Sequence, residues 1–170
     1  MKKVSLMIFV ILAVTGLVVV TNNVKAADIS DEQKSTIIDH CDSIKDVLRT
    51  VQHNDSRTRV YLGRYYETIL NKFITPLNVR LVENNLSNNG LIDNQNSFAN
   101  ARTNFVIDYI EYQKVLENLV AIDCRAEPVR FYEKLEEARF KRSVVSEDVN
   151  KLAELANDQV NLVVALRGKL

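Results

Sequence analysis

Apolar and aromatic residues recur every three or four positions through most of this chain, a spacing that predicts helices. The clearest stripe runs through Leu62, Tyr66, Ile69, Phe73, Leu77 and Leu81, on one side of a helix spanning Arg57 to Leu86. A helix of that length is about 45 Å long and is not stable with its stripe in water, so other segments must cover it. Ahead of it, Ile37, Cys41, Ile44, Leu48 and Val51 form a first stripe, opened by Ser30 with Gln33 three residues on in a capping-box pattern. The segment His53 to Ser56 interrupts the apolar pattern and predicts a bend capped by Asp55 or Ser56. A helix continuous through it is the alternative, because the heptad phase survives across Asp55 and Thr58.

The run Leu86 to Ser97 is the strongest turn signal, centred on Asn89-Gly90. Beyond it a third helix is expected from Asn96 to Asp123, with Phe98, Arg102, Phe105, Tyr109, Tyr112, Leu116 and Leu119 on one face. Arg102 is the odd member, and a buried guanidinium needs a partner, Glu83 or Glu147, unless it snorkels past the core edge. A substrate-binding arginine is the sharper reading of the same residue. After a short connection from Cys124, Pro128 suits the first position of a fourth helix, where its missing N–H costs nothing. The stripe Phe131, Leu135, Ala138, Arg142, Val145, Val149, Leu152, Ala156, Val163 and Leu166 then predicts one helix of about 38 residues. Two breakers lie inside the second helix. Gly63 implies close approach of a neighbour, and Pro76 implies a kink.

The fold class that follows is all-α: an elongated antiparallel bundle of three long helices plus an N-terminal helix, with coiled-coil-like packing. Pairing about Gly90 sets Tyr112 near Tyr66 and Phe105 near Phe73 to Thr75; pairing about Ala126 sets Phe105 near Val145 and Leu116 near Leu135.

The N-terminus changes the picture by adding a compartment. Lys2 and Lys3 precede an apolar run ending near Val20, and Val24-Lys25-Ala26 fits a signal peptidase. Residues 1–26 are therefore expected to be a signal peptide, and residues 27–170 a single helical domain that is extracellular, periplasmic or at the cell surface. An uncleaved single-pass anchor with the domain outside is the alternative. Lys2, Lys3 and Lys25 leave with the signal, so 19 basic residues face 22 acidic ones and nucleic acid is not an expected partner. Cys41 and Cys124 are paired as a disulfide on compartment and even count. A turn at Asp55 nevertheless leaves them at levels roughly 16 Å apart, so the first helix must bend elsewhere if they join.

Chemistry is sparse. No nucleophile stands beside a histidine at a recurrent spacing, and Glu67, Glu83, Asp108 and Glu111 lack the Glu-x-x-His pattern of a di-metal bundle. His40 and His53 have no ligand spacing. No enzyme activity, metal or cofactor is expected. The sequons at Asn54 and Asn85 are read as cap and turn residues. Two binding readings remain. The preferred one is a structural or protein-interaction role at the envelope, toward another exported protein or a second copy, through a face that includes Leu155, Val160 and Val164. The other is a module that encloses a small apolar or amphipathic ligand among Tyr65, Tyr66, Phe105, Tyr109 and Tyr112.

The wording DSRTRVYLGRYYETIL, FITPLNVRLVENN and YQKVLENLVAIDCRAEPVRFYEKLEEAR resembles small exported helical proteins of unknown function from candidate-phyla bacteria such as Saccharibacteria. The resemblance covers residues 37–166. It implies lineage and location, and carries no catalytic residue onto this chain.

Overall fold

A computed structural model describes residues 29–168 with the exception of 87. The expected signal over residues 1–26, its cleavage site, and the serine of the Asn85 sequon lie outside the described residues. The architecture is all-α, without strands among the described residues: α1 (Asp31–Asp39), α2 (Cys41–Thr68), a π-helical stretch Ile69–Ile74, α3 (Thr75–Glu83), α4 (Asn89–Ala121) and α5 (Pro128–Arg167). α2, the π stretch and α3 follow one another without a break, so three long rods and one short helix make the bundle.

α1 starts as its capping box dictates: Gln33 N–H donates to Ser30 Oγ at 3.2 Å, and Ser30 N–H donates to Gln33 Oε1 at 2.9 Å. Asp31 and Glu32 in its first turn suit the positive end of the helix dipole. The bend expected at His53 to Ser56 is absent, and the helix instead breaks at His40, where φ is −108° and ψ 16°. The polar residues taken for caps serve other ends. Ser56 Oγ donates to Gln52 O within the helix, while Asp55 accepts bonds from α4 and α5. This correction removes the difficulty with the cysteines. With α2 continuous, Tyr66 against Phe105, Ser56 against Tyr109, Asp55 against Tyr112 and Cys41 against Cys124 all fall in one antiparallel register. The disulfide forms with a Cα–Cα distance of 5.7 Å, inside the range a bridge requires.

The turn between the second and third rods is also displaced from its expected centre. Asn88 caps α4, its Oδ1 accepting from Gly90 N–H at 2.8 Å, so Asn89-Gly90 opens a helix. α4 thus begins seven residues before the expected Asn96. Tyr112 consequently lies at Asp55 rather than Tyr66, and Phe105 meets Tyr66 rather than Phe73. A Cβ on Gly90 would sit 3.3 Å from Leu162 Cδ2, so the glycine lets the end of α5 come close. The α4–α5 pairing matches expectation: Leu116 and Leu135 share one cluster, and Phe105 and Val145 the other. α5 runs unbroken for 40 residues from Pro128.

Pro76 acts on the turns before it. Lacking an N–H and crowding the carbonyl four residues back, it is accommodated by a wider turn, and Thr75 N–H donates to Leu70 O five residues earlier. The extra residue rotates the stripe. Ile74 becomes buried, and Phe73, expected in the core, is left exposed. Gly63 corrects another expectation, because a Cβ built there meets nothing within 4 Å. Gly63→Ala is therefore expected to stabilise the fold by about 1 kcal/mol through helix propensity and a stiffer unfolded chain. A higher urea midpoint at unchanged slope is the reading that checks it.

Two clusters fill the core. One surrounds the disulfide, with Leu48, Tyr112, Leu119 and Phe131. The other joins Tyr66, Ile74, Phe98, Phe105 and Leu152.

Candidate functional site

The aromatic residues singled out in the sequence divide into two groups. Tyr66, Phe105, Tyr109 and Tyr112 are buried, whereas Tyr65 is half exposed on the far side of α2, stacked on Tyr61. The buried rings meet edge to face at about 6 Å, Tyr66 with Phe98 and Phe105, and Tyr109 with Tyr112. They pack on one another, and three of the residues named for a ligand, Phe105, Tyr109 and Tyr112, also line a groove that is open to solvent. Their hydroxyls find partners as buried tyrosines must: Tyr66 donates to Val149 O, Tyr109 to Ser56 Oγ and Tyr112 to Asp55 Oδ2 at 2.8 Å. Burial first, then the Asp55 bond, pushes the Tyr112 hydroxyl well above the usual phenol range, so it remains a donor.

Above Phe105, Tyr109 and Tyr112 lies an open groove of about 560 Å³. α2 and α5 flank α4 and form its walls, the first through Asp55, Thr58, Arg59 and Leu62, the second through Arg139, Arg142, Ser143 and Val149. Asp55 spans the groove, accepting from Arg142 Nε at 2.8 Å and Nη2 at 3.0 Å in a bidentate pair. The Asp55 bond holds the Arg142 guanidinium above its ordinary range. Arg59 differs. Its guanidinium stands 5.2 Å from the centroid of Tyr109, and it has no carboxylate partner among the described residues.

Arg102 is partly buried and pairs with Glu67 at 3.5 Å, neither Glu83 nor Glu147 being its partner. Its Nε is buried without an acceptor. Of the expected interaction face, Leu155 is buried in the core and drops out, while Val160 and Val164 are 61% and 65% exposed.

At the α4–α5 seam Asp108, one of the carboxylates named in the sequence, meets Asp148, which the sequence patterns do not single out. Burial, then the hydrogen bond and charge of Asp108, and the charge of Glu147, raise the Asp148 carboxyl to about 6. Lys141 lies at the same seam, paired with Glu111. With a folded value near 6 and an unfolded value near 3.8, Asp148 contributes stability that is complete below about pH 3.8 and is lost as pH rises through 6. Asp148→Asn is expected to raise stability at pH 8 by about 1 kcal/mol, allowing for water at the seam edge, and to flatten the profile between about pH 4 and about pH 7. Urea unfolding of both proteins across that range and up to about pH 8 measures the difference.

No group of three or more potential metal ligands, and no helix long and apolar enough to cross a membrane, occurs among the described residues. Comparison of the chain with family models, curated proteins and solved structures gives no match.

Proposed function

We propose that this is a non-enzymatic exported protein that acts at the cell envelope by protein–protein contact, with another envelope protein or a second copy as partner. The observation that carries the reading is the end of α5, where Val160 and Val164 stand exposed one turn apart on an unbroken helix. Large side chains in solvent also occur at Tyr61, Phe73, Ile110 and Phe140, so the bundle offers apolar faces on several sides of a thin core. A body of this shape works more readily through a face than through an enclosed site. Light scattering of the purified protein, followed by cross-linking in intact cells, tests the reading. Val160→Asp or Val164→Asp is expected to weaken association by about tenfold with helicity retained. Strict monomers over micromolar concentrations, with no cross-linked partner, would defeat it.

A further inference from the structure

We propose that the groove between α2 and α5 binds a short, extended, acidic segment of a partner protein, with an apolar side chain against the part-exposed Leu62, Val145 and Val149 and carboxylates on Arg59 and Arg139. The proposal rests on the reading of this protein as a protein-interaction module and adds the chemistry of one partner.

The groove is open along its length, so a small molecule lying in it would keep much of its surface in water, unlike the ligand of an enclosed site. A chain segment loses less by this, since only alternate side chains need to face the floor. From Arg139 to Val149 the α5 wall extends about 15 Å, enough for roughly four extended residues at about 3.3 Å each. Charge selects the occupant. The walls contain Arg59, Arg139 and Arg142 against the single carboxylate of Asp55, which Arg142 already engages. Among the described residues, Arg139 pairs with Glu136 alone, on its own helix, and Arg59 has no ionic partner. Arg57 and Arg64 on the outer side of α2, equally without carboxylate partners among the described residues, extend the positive field along that rod. Arg59, seated over the Tyr109 ring, and Arg139 each present a guanidinium fork that suits a carboxylate. Thr58, Ser143 and Ser146 supply hydroxyls for the backbone of the segment.

The test is fluorescence anisotropy of the purified, oxidised protein with a labelled hexapeptide alternating glutamate with phenylalanine or leucine. Binding is expected that weakens between about 20 and about 300 mM salt, because the paired charges are near the surface. Arg59→Gln and Arg139→Gln should each reduce affinity by about tenfold. Arg130→Gln, on the same helix outside the groove, should leave it unchanged, and thermal unfolding confirms that each variant is folded. Absence of binding, equal binding of a lysine-for-glutamate peptide, or an equal loss in Arg130→Gln would overturn the proposal. So would displacement by decanoate as effective as by unlabelled peptide, which would assign the groove to a small amphipathic anion. Failure here leaves the Val160 face standing, whereas a strict monomer with no cellular partner removes the broader reading whether or not the peptide binds.

Discussion

Reducing the bond between Cys41 and Cys124 is expected to lower the unfolding free energy by about 4 to 5 kcal/mol, the entropy regained by an unfolded chain whose roughly 84-residue loop is released. That is a large share of the stability of a domain of this size, for which about 5 to 15 kcal/mol is usual. Position in the fold adds to the effect. The bridge joins the first residue of α2 to the segment between α4 and α5, and α1 continues directly from it. α1 contributes Ile37 to the core, with most of its other side chains in water. Without the bridge, α1 and the first turns of α2 should exchange amide protons well before α4, which is buried along one whole face. The slope of unfolding against urea should also steepen on reduction, because a chain without the cross-link expands further. Urea titrations with and without reductant, read with hydrogen exchange, check both parts. An unchanged midpoint would show that the folded contacts alone fix this end of the bundle.

The bridge also shows what was legible in the sequence and what was not. Its pairing follows from compartment and even count, but its geometry does not, because Asp55 and Asn89-Gly90 do not act in the fold as they would in isolation. Asp and Ser favour caps when nothing else engages them. Here Arg142 and Tyr112 engage Asp55 from other rods, a competition invisible in a one-dimensional pattern. Asn-Gly marked the neighbourhood of the turn correctly but not its centre, since Asn88 as cap placed the pair inside α4. Features set by strong local chemistry were readable: the Ser30–Gln33 box, the start at Pro128, and the long stripe of α5. Features set by compensation were not. The π turn before Pro76 exchanged Phe73 for Ile74 in the core, and Asn78, Asn94 and Gln159 entered the interior because each finds a bond there. Of the candidate surfaces, the aromatic floor was legible from the α4 stripe. The arginine walls were not, because they come from two rods whose separation only the assembled bundle defines.

Asp55→Ala is expected to cost about 2 to 4 kcal/mol, the largest loss for any exposed-looking polar residue on α2. In sequence Asp55 stands in a polar stretch, between His53 and Arg57, where an alanine would ordinarily be neutral or favourable to a helix. In the fold its side chain is only 18% exposed and accepts three bonds, two from Arg142 and one from Tyr112. Removing it strands the Tyr112 hydroxyl in the core, since that ring is buried and burial already holds its proton tightly. Arg142 loses less, because its guanidinium is largely in solvent and can take water. The two halves can be separated. Tyr112→Phe removes the donor and leaves Asp55 with Arg142, so it should cost about 1 kcal/mol. Combined with Asp55→Ala it should cost less than the sum of the two, because the phenylalanine no longer has a hydroxyl to strand; a coupling of about 1 to 2 kcal/mol is expected. Additive losses in that cycle would mean that the hydroxyl finds another partner and that Asp55 acts through Arg142 alone. The Arg142→Ala variant then decides the point: a cost near that of Asp55→Ala would place the weight on the ion pair across the groove, and a cost well below it on the buried phenol.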